Sequence, residues 1–414
     1  MKAGLAGLRG KLFLRAIGAR DLIASILAGG RGEAGPCKSD VKWGRIRGGE
    51  AWPSHAAIDG GQKVFEMEGY SVYAVRSYGI LSGEEVREHE EASVGLIIPP
   101  QGDSDRVSMY REILEAYTGS TLVPESGAVL MDGAAWFVIW WWPKDLGPGS
   151  YLGKLEEAVS ALRRASGRGV IDLPSDEPLA TLAGEEDPPE GWHRPYVPRI
   201  LAEMYRAGEL GEAPWVTALE LTEKLLVYKR LMETAWFQGS DVVFIAKTSK
   251  STRLCGGPLS DTHILRILHP RDPGYTVEGF VSVGAAEIAG VPQESAIRAY
   301  PEDLGLREFY VERLGVADFY VRLSPFKSIL HVSLAFDSYR RTPMPGEIPP
   351  LVSSRLSELP LAEGYPATLS LAHERARISS EDAEVVARIL RLGAEPGARR
   401  VLYLEGARRS LYRG

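Results

Sequence analysis

Three separated segments carry carboxylates and a histidine in settings suited to hydrolysis at phosphorus: HAAIDGG around Asp59, AVLMDGAAW around Asp132, and GYPATLSLAHERA, which contains His373. The first two are apolar runs ending in Asp-Gly. That pattern reads as a buried strand delivering a carboxylate to its end, where glycine admits a ligand or a second backbone. Two such strands side by side make a cation site. Carboxylates about 4 Å apart repel by about 4 kcal/mol at an effective dielectric near 20, so Asp59, Asp132 and a nearby glutamate require cations. Oxygen ligands suit Mg²⁺ or Mn²⁺, and an added imidazole tilts the choice towards Mn²⁺. With two such ions, one generates a hydroxide-like nucleophile from bound water and the other stabilises the leaving 3′ oxygen. No serine or cysteine nucleophile is required. Taken singly, Asp59 and Asp132 are better read as strand-end turn residues, and His373 as an ordinary structural histidine.

The elements that must position these residues can be read coarsely. A strand is predicted at 56–59, followed by a hairpin of VFEMEGYSVYAVRSYGI and SVGLIIPP. VSMYREILEAYTG places Tyr110, Ile113, Leu114 and Tyr117 at helical spacing before a glycine stop, and GAVLMDGAAWFVIWWW follows as one long strand. Residues 150–237 read as a helical insertion, and DVVFIAKTS as a buried strand. TVEGFVSVG, DFYVRLS and ILHVSLAF are further strands, and ISSEDAEVVARILRLG is a last helix capped by Ser379 or Ser380 and stopped by Gly393. This order is that of an RNase H-like α/β fold: a mixed sheet flanked by helices, over residues 51–414. Residues 1–50 form a leader whose Leu12, Leu14, Ile17, Leu22 and Ile26 suit an amphipathic helix packed on this chain or a second subunit.

Composition bounds the alternatives. The 414 residues, 44% hydrophobic and 25% charged, can bury a large core, and the net charge of −7 argues against a uniformly basic nucleic-acid coat. Basic residues collect instead in KTSKSTR (Lys247 to Arg253) and in the C-terminal tail, and the charge-rich composition leans towards a thermophilic source. Cys37 and Cys255 stand far apart outside any CxxC pattern, so no disulfide is expected and a cytoplasmic location is the default. AWFVIWWWP is too short to span a bilayer. The chain has no Walker A loop, GxGxxG, HExxH or GxSxG.

AIDGG at Asp59, the helix glutamate followed by LMDG at Asp132, IAKTSKS at Lys247, and GYP with AH at Tyr365 and His373 resemble, in that order, the NurA family of archaeal and bacterial DNA end-processing nucleases. The resemblance runs over about residues 50–380. It implies a metal-dependent deoxyribonuclease, usually with manganese, acting as a 5′–3′ exonuclease and on single strands as an endonuclease in recombinational repair. It further implies a homodimer working on DNA with a hexameric HerA-type helicase or translocase. The implied metal ligands are Asp59, a helix glutamate, Asp132 and His373. Periodicity cannot choose between Glu112 and Glu115, whereas the family spacing favours Glu115, with Glu125 a third alternative. By the same resemblance Lys247 neutralises phosphate charge and Tyr365 orients a ligand or the DNA backbone. Lys247, Lys250 and Arg253 are candidate DNA contacts, although the loop is as readily a polar turn. Trp140–Trp142 are read as core or interface rather than base-stacking residues. Asp261 and His263 are candidates for supporting the metal ligands from behind, although surface helix-capping is the favoured reading. A non-catalytic DNA-end clamp and an RNase H-like ribonuclease are the competing functions.

Overall fold

The computed structural model describes residues 41–393 apart from 68–69, 100–102, 136–141, 144–145, 175, 186, 211–212, 256–258 and 303. The amphipathic leader, Cys37, Trp140, Trp141 and the Arg-rich tail therefore lie outside the described residues. After a short β1 (Trp43–Gly44), three long strands, β2 (His55–Met67), β3 (Tyr70–Ser82) and β4 (Arg87–Ile97), form an antiparallel meander. Helix α1 (Asp103–Leu122) leads to β5 (Ala128–Asp132), which lies parallel to β2. Among the described residues four helices follow: α2 (Pro148–Gly167), α3 (Ala180–Ala183), α4 (Val197–Arg206) and α5 (Val216–Gln238). They end in β6 (Asp241–Ala246), parallel to β5.

The second half adds α6 (Asp261–Leu268), β7 (Gly274–Thr276), β8 (Phe280–Val283), α7 (Gly284–Ala289) and α8 (Gln293–Ala299). The hairpin of β9 (Leu314–Arg322) and β10 (Leu330–Asp337) comes next, then α9 (Ile348–Ser357), β11 (Leu361–Ala362), β12 (Tyr365–Pro366), α10 (Ala367–Ala376) and α11 (Ser380–Gly393). The main sheet has ten strands, in the order β1-β7-β9-β10-β6-β5-β2-β3-β4 with β8 also on β9. Its stretch β4-β3-β2-β5-β6, antiparallel except on both sides of β5, is the RNase H-like arrangement that the sequence predicts.

Strand alternation sends side chains to two cores. Ile58, Val129, Met131, Val242 and Phe244 pack towards the layer that contains α1, α2, α4 and α5. Ala57, Ala128, Leu130, Val243 and Ile245 pack towards Leu356 of α9 and Leu369 of α10. Ser379 caps α11, accepting from the Asp382 N–H at 3.0 Å while its own N–H donates to the Asp382 carboxylate at 2.9 Å.

Four local expectations are corrected. The first strand does not end at Asp59 but continues to Met67, because it pairs with β3 along its whole length. Gly119 lies inside α1 rather than stopping it; a Cβ there would stand 3.1 Å from Leu231 of α5, so this glycine serves close helix packing. The strand through Asp132 ends at that residue and turns at Gly133, whose φ of +113° favours glycine. Trp142 beyond it is partly buried and packs against the core on Tyr151 and Tyr300. Fourth, Cys255 is disulfide-bonded, against the expectation of separate thiols; the chain's other cysteine, Cys37, is not among the described residues. Among the described residues no helix is long and apolar enough to cross a membrane.

Candidate metal centre

The register of two parallel strands builds the site. Ile58 of β2 is paired with Met131 of β5, so Asp59 and Asp132 come next on the two strands, side by side. Both follow residues that face the α1–α5 layer, and therefore project from the opposite face of the sheet, the one covered by α10. His373 is delivered from α10, and its Nδ1 lies 2.6 Å from Asp59 Oδ2. One ligand atom from each of Asp59, Asp132 and His373 falls within 4.8 Å of the others, and His373 is half-exposed at the mouth of the group.

The two glycines of AIDGG are explained by what approaches them. A Cβ on Gly60 would stand 2.3 Å from Glu115 Oε1 and 2.6 Å from Arg111 Cγ, both on α1. One on Gly61 would stand 2.1 Å from the Ala376 carbonyl, three residues beyond His373. The first glycine lets α1 close on one face of β2, and the second lets α10 close on the other.

Hydrogen bonds orient the ligands. The Gly60 N–H donates to Asp59 Oδ1 at 2.6 Å, and the Tyr365 hydroxyl lies 2.9 Å from Asp132 Oδ1 and 3.2 Å from the Ile245 carbonyl. Burial, followed by the charge of Asp132, pushes the Asp59 carboxyl upward from its ordinary range, against the Gly60 N–H and His373. Burial and Asp132 also raise the Tyr365 hydroxyl well above its usual range, so that it stays a donor. Lys247, just past the end of β6, sets its Nζ 3.9 Å from the centre of the Tyr365 ring.

Glu115 comes from the other face of the sheet. It is buried, stands outside the close trio, and is pushed up to about 8 by burial, with Asp59, Glu112 and Asp132 adding to the effect and Arg111 opposing it. Glu112 turns inward and lies 2.6 Å from the fully buried Lys224, so of the two helix glutamates it is Glu115 that approaches Asp59. Glu125 lies at the far end of β2, where its carbonyl accepts from Ser54.

In the KTSKSTR loop Lys247, Lys250 and Arg253 are all exposed, and the Arg253 guanidinium is also engaged by the protein. It donates to Ser282 Oγ at 2.7 Å and stands 3.7 Å from the Asp318 carboxylate. Asp261, expected at the surface, is fully buried. It accepts from Ser251 Oγ, the Leu254 and Cys255 N–H groups and the Tyr320 hydroxyl, and so fixes this loop. Arg111 was missed in the sequence; its place one helical turn before Glu115 is the available signal.

The donor set fits a hard divalent ion. Such an ion binds oxygen at about 2.1 Å, so ligand atoms around it lie within roughly 4.2 Å of one another, a small contraction of the trio observed. The NurA domain model matches residues 53–378. No curated protein matches the sequence. Among solved structures, the NurA nuclease of Sulfolobus solfataricus superposes with a TM-score of 0.61 at 18% identity, over 92% of this chain and 95% of that one. A NurA structure with manganese gives 0.55 at 18% identity, over 91% and 98%, and one bound to dAMP and manganese gives 0.57 at 16%, over 91% and 97%.

Proposed function

The chain belongs to the NurA family, and we propose that it is a divalent-metal-dependent deoxyribonuclease that processes DNA ends. The observation that carries this reading is the convergence of Asp59, Asp132 and His373, from three distant segments, on one face where the parallel pairing of β2 and β5 ends. Similar proteins have been crystallised with manganese and with dAMP, a nucleotide of the kind that DNA cleavage releases.

Asp59, Asp132 and His373 would hold a Mn²⁺ or Mg²⁺ ion, which would supply an activated water and charge stabilisation at phosphorus. The chain's own groups do the rest. Tyr365 and the Gly60 N–H hold the two carboxylates in one orientation, so little reorganisation is needed on binding. Lys247, exposed beside the Tyr365 ring, meets phosphate charge arriving from solvent, and Lys250 extends that track. Arg253 braces the loop through Ser282 and, still exposed, adds positive charge to the same track. Glu115 completes the site from the other face of β2.

The finer reading is a homodimeric, cytoplasmic 5′–3′ exonuclease with single-strand endonuclease activity. It works in recombinational repair with a hexameric HerA-type translocase, in a thermophilic archaeon. The bonded Cys255 is compatible with that compartment, since intracellular disulfides are common in hyperthermophiles. End-labelled single- and double-stranded DNA and matched RNA, incubated with Mn²⁺, Mg²⁺ or excess EDTA, test the reading directly. DNA cleavage that needs metal and is lost in Asp59→Asn supports it. Undiminished cleavage in EDTA sinks the metal mechanism, cleavage confined to RNA makes the chain a ribonuclease, and DNA binding without cleavage makes it a clamp.

A further inference from the structure

Resting on the metal-dependent reading, we infer that Arg111 is a built-in counter-ion that competes with a divalent cation for Glu115. The chain alone then holds a single metal ion at Asp59, Asp132 and His373.

The geometry comes first. Arg111 Nε lies 3.3 Å from Glu115 Oε1, and its Nη2 lies 3.4 Å from Glu112 Oε1. Glu112 is held in turn by the buried Lys224. Arg111 and Lys224 thus stand among the Glu112 and Glu115 carboxylates, whereas Asp59 and Asp132 have no such partner among the described residues.

Space also constrains the pair. Arg111 Cγ and Glu115 Oε1 pack side by side against Gly60, so an ion entering beside Glu115 on this face requires Arg111 to swing outward. Such a swing is open to it, because about a third of the Arg111 side chain is exposed. Its hold on Glu115 is loose, since the buried Nε forms no hydrogen bond to any acceptor. The contrast is Arg106, which grips Glu220 through Nε and Nη2 at 2.7–2.9 Å in a two-pronged fork. A structural arginine is clamped, whereas Arg111 is held by charge and can let go.

Arg111 is a positioning residue in this account, and the test reads metal binding rather than cleavage. Titration of the full metal-free chain with MnCl₂ in a calorimeter, without DNA, should give one binding event for the wild type. Arg111→Gln should bind Mn²⁺ on the order of tenfold more tightly, or show a second event, because Glu115 becomes available. Arg111→Met applies the same test with a side chain that packs without hydrogen bonding, should the Gln variant fold poorly. Adding Glu115→Gln to either should return Mn²⁺ binding to a single event near wild-type affinity. Structural damage alone does not tighten a metal site. Wild-type binding that both Arg111 variants leave unchanged or weakened overturns the inference alone. A wild type that binds no Mn²⁺ overturns the metal reading and this inference with it.

Discussion

Two groups of carboxylates in this molecule are treated in opposite ways. On α5, Glu220 and Glu223 are completely buried, and each is met by a guanidinium. Arg106 and the Tyr110 hydroxyl hold Glu220; Arg194 at 3.1 Å and the Tyr196 and Val197 N–H groups at 2.9 and 3.0 Å hold Glu223. At the β2 and β5 positions, Asp59 and Asp132 have only a backbone N–H, a tyrosine hydroxyl and a half-exposed histidine. Among the described residues no lysine or arginine pairs with either. A buried carboxylate that the chain neutralises itself belongs to the fold. One left to repel its neighbour is kept for a cation from outside.

The largest effect should follow from removing the charge at the open pair. Asp59→Asn or Asp132→Asn should lower cleavage by at least about 10³-fold, roughly 4 kcal/mol of transition-state stabilisation. The metal-free melting temperature should stay constant or rise, because repulsion between the two carboxylates is relieved. Single-turnover rates and calorimetric melting of the same preparations check both halves. A variant that melts well below the wild type would place these aspartates with the structural carboxylates and break the contrast.

The complementary change should show the reverse pattern. Glu220→Gln removes the charge that balances the buried Arg106, at a cost of about 3–5 kcal/mol in stability. Denaturant unfolding followed by circular dichroism measures it. The folded fraction should keep normal Mn²⁺ affinity. A cost below about 1 kcal/mol, the value of an exposed pair, would mean that the core pair is worth no more than a surface one.

How much of this contrast could be read from the sequence depends on what each feature requires. Asp59, Asp132 and His373 were legible because Asp-Gly after an apolar run and a histidine on a late helix are local patterns, and their order resembles a family. The arginine partners of Glu220 and Glu223 were not legible, since Arg106–Glu220 joins positions 114 residues apart and a charged residue in a helix normally signals a wet face. The central β4-β3-β2-β5-β6 order followed from alternation of element types, whereas β1, β7 and the β11–β12 pair are too short to leave a periodic signal. The extension of β2 past Asp59 was hidden by Gly60 and Gly61, which look like a strand stop but serve two close approaches. Glu112 and Glu115 differ only in which neighbour the fold brings to them.

Glu115 lies between the two groups and sharpens the comparison through pH. Burial and neighbouring carboxylates push it up to about 8, with Arg111 opposing. A carboxyl whose folded value lies above its unfolded one binds its proton more tightly in the native state. Its contribution is therefore complete below the ordinary carboxylate range and is lost as the pH rises towards about 8. The metal-free chain should thus be more stable at pH 5.5 than at pH 8, with a slope of at most about 1.4 kcal/mol per pH unit from one proton. Asp59, also raised, acts in the same direction. Glu115→Gln should flatten the profile; an unchanged slope in that variant would assign the dependence to other groups.

The smallest effect separates orientation from charge. Tyr365→Phe removes the hydroxyl that holds Asp132 Oδ1 but keeps the ring beneath Lys247, and the carboxylate retains its charge. One hydrogen bond to a charged group contributes about 1.5–3 kcal/mol, and Asp132 can recover part of that from water at the mouth of the site. The loss in kcat should then be about tenfold, far short of the effect of Asp132→Asn. Mn²⁺ affinity should fall only slightly, because the ligand is still present but less well aimed. A loss in Tyr365→Phe as large as that in Asp132→Asn would show that the hydroxyl itself takes part at phosphorus, and that orientation and charge cannot be separated at this aspartate.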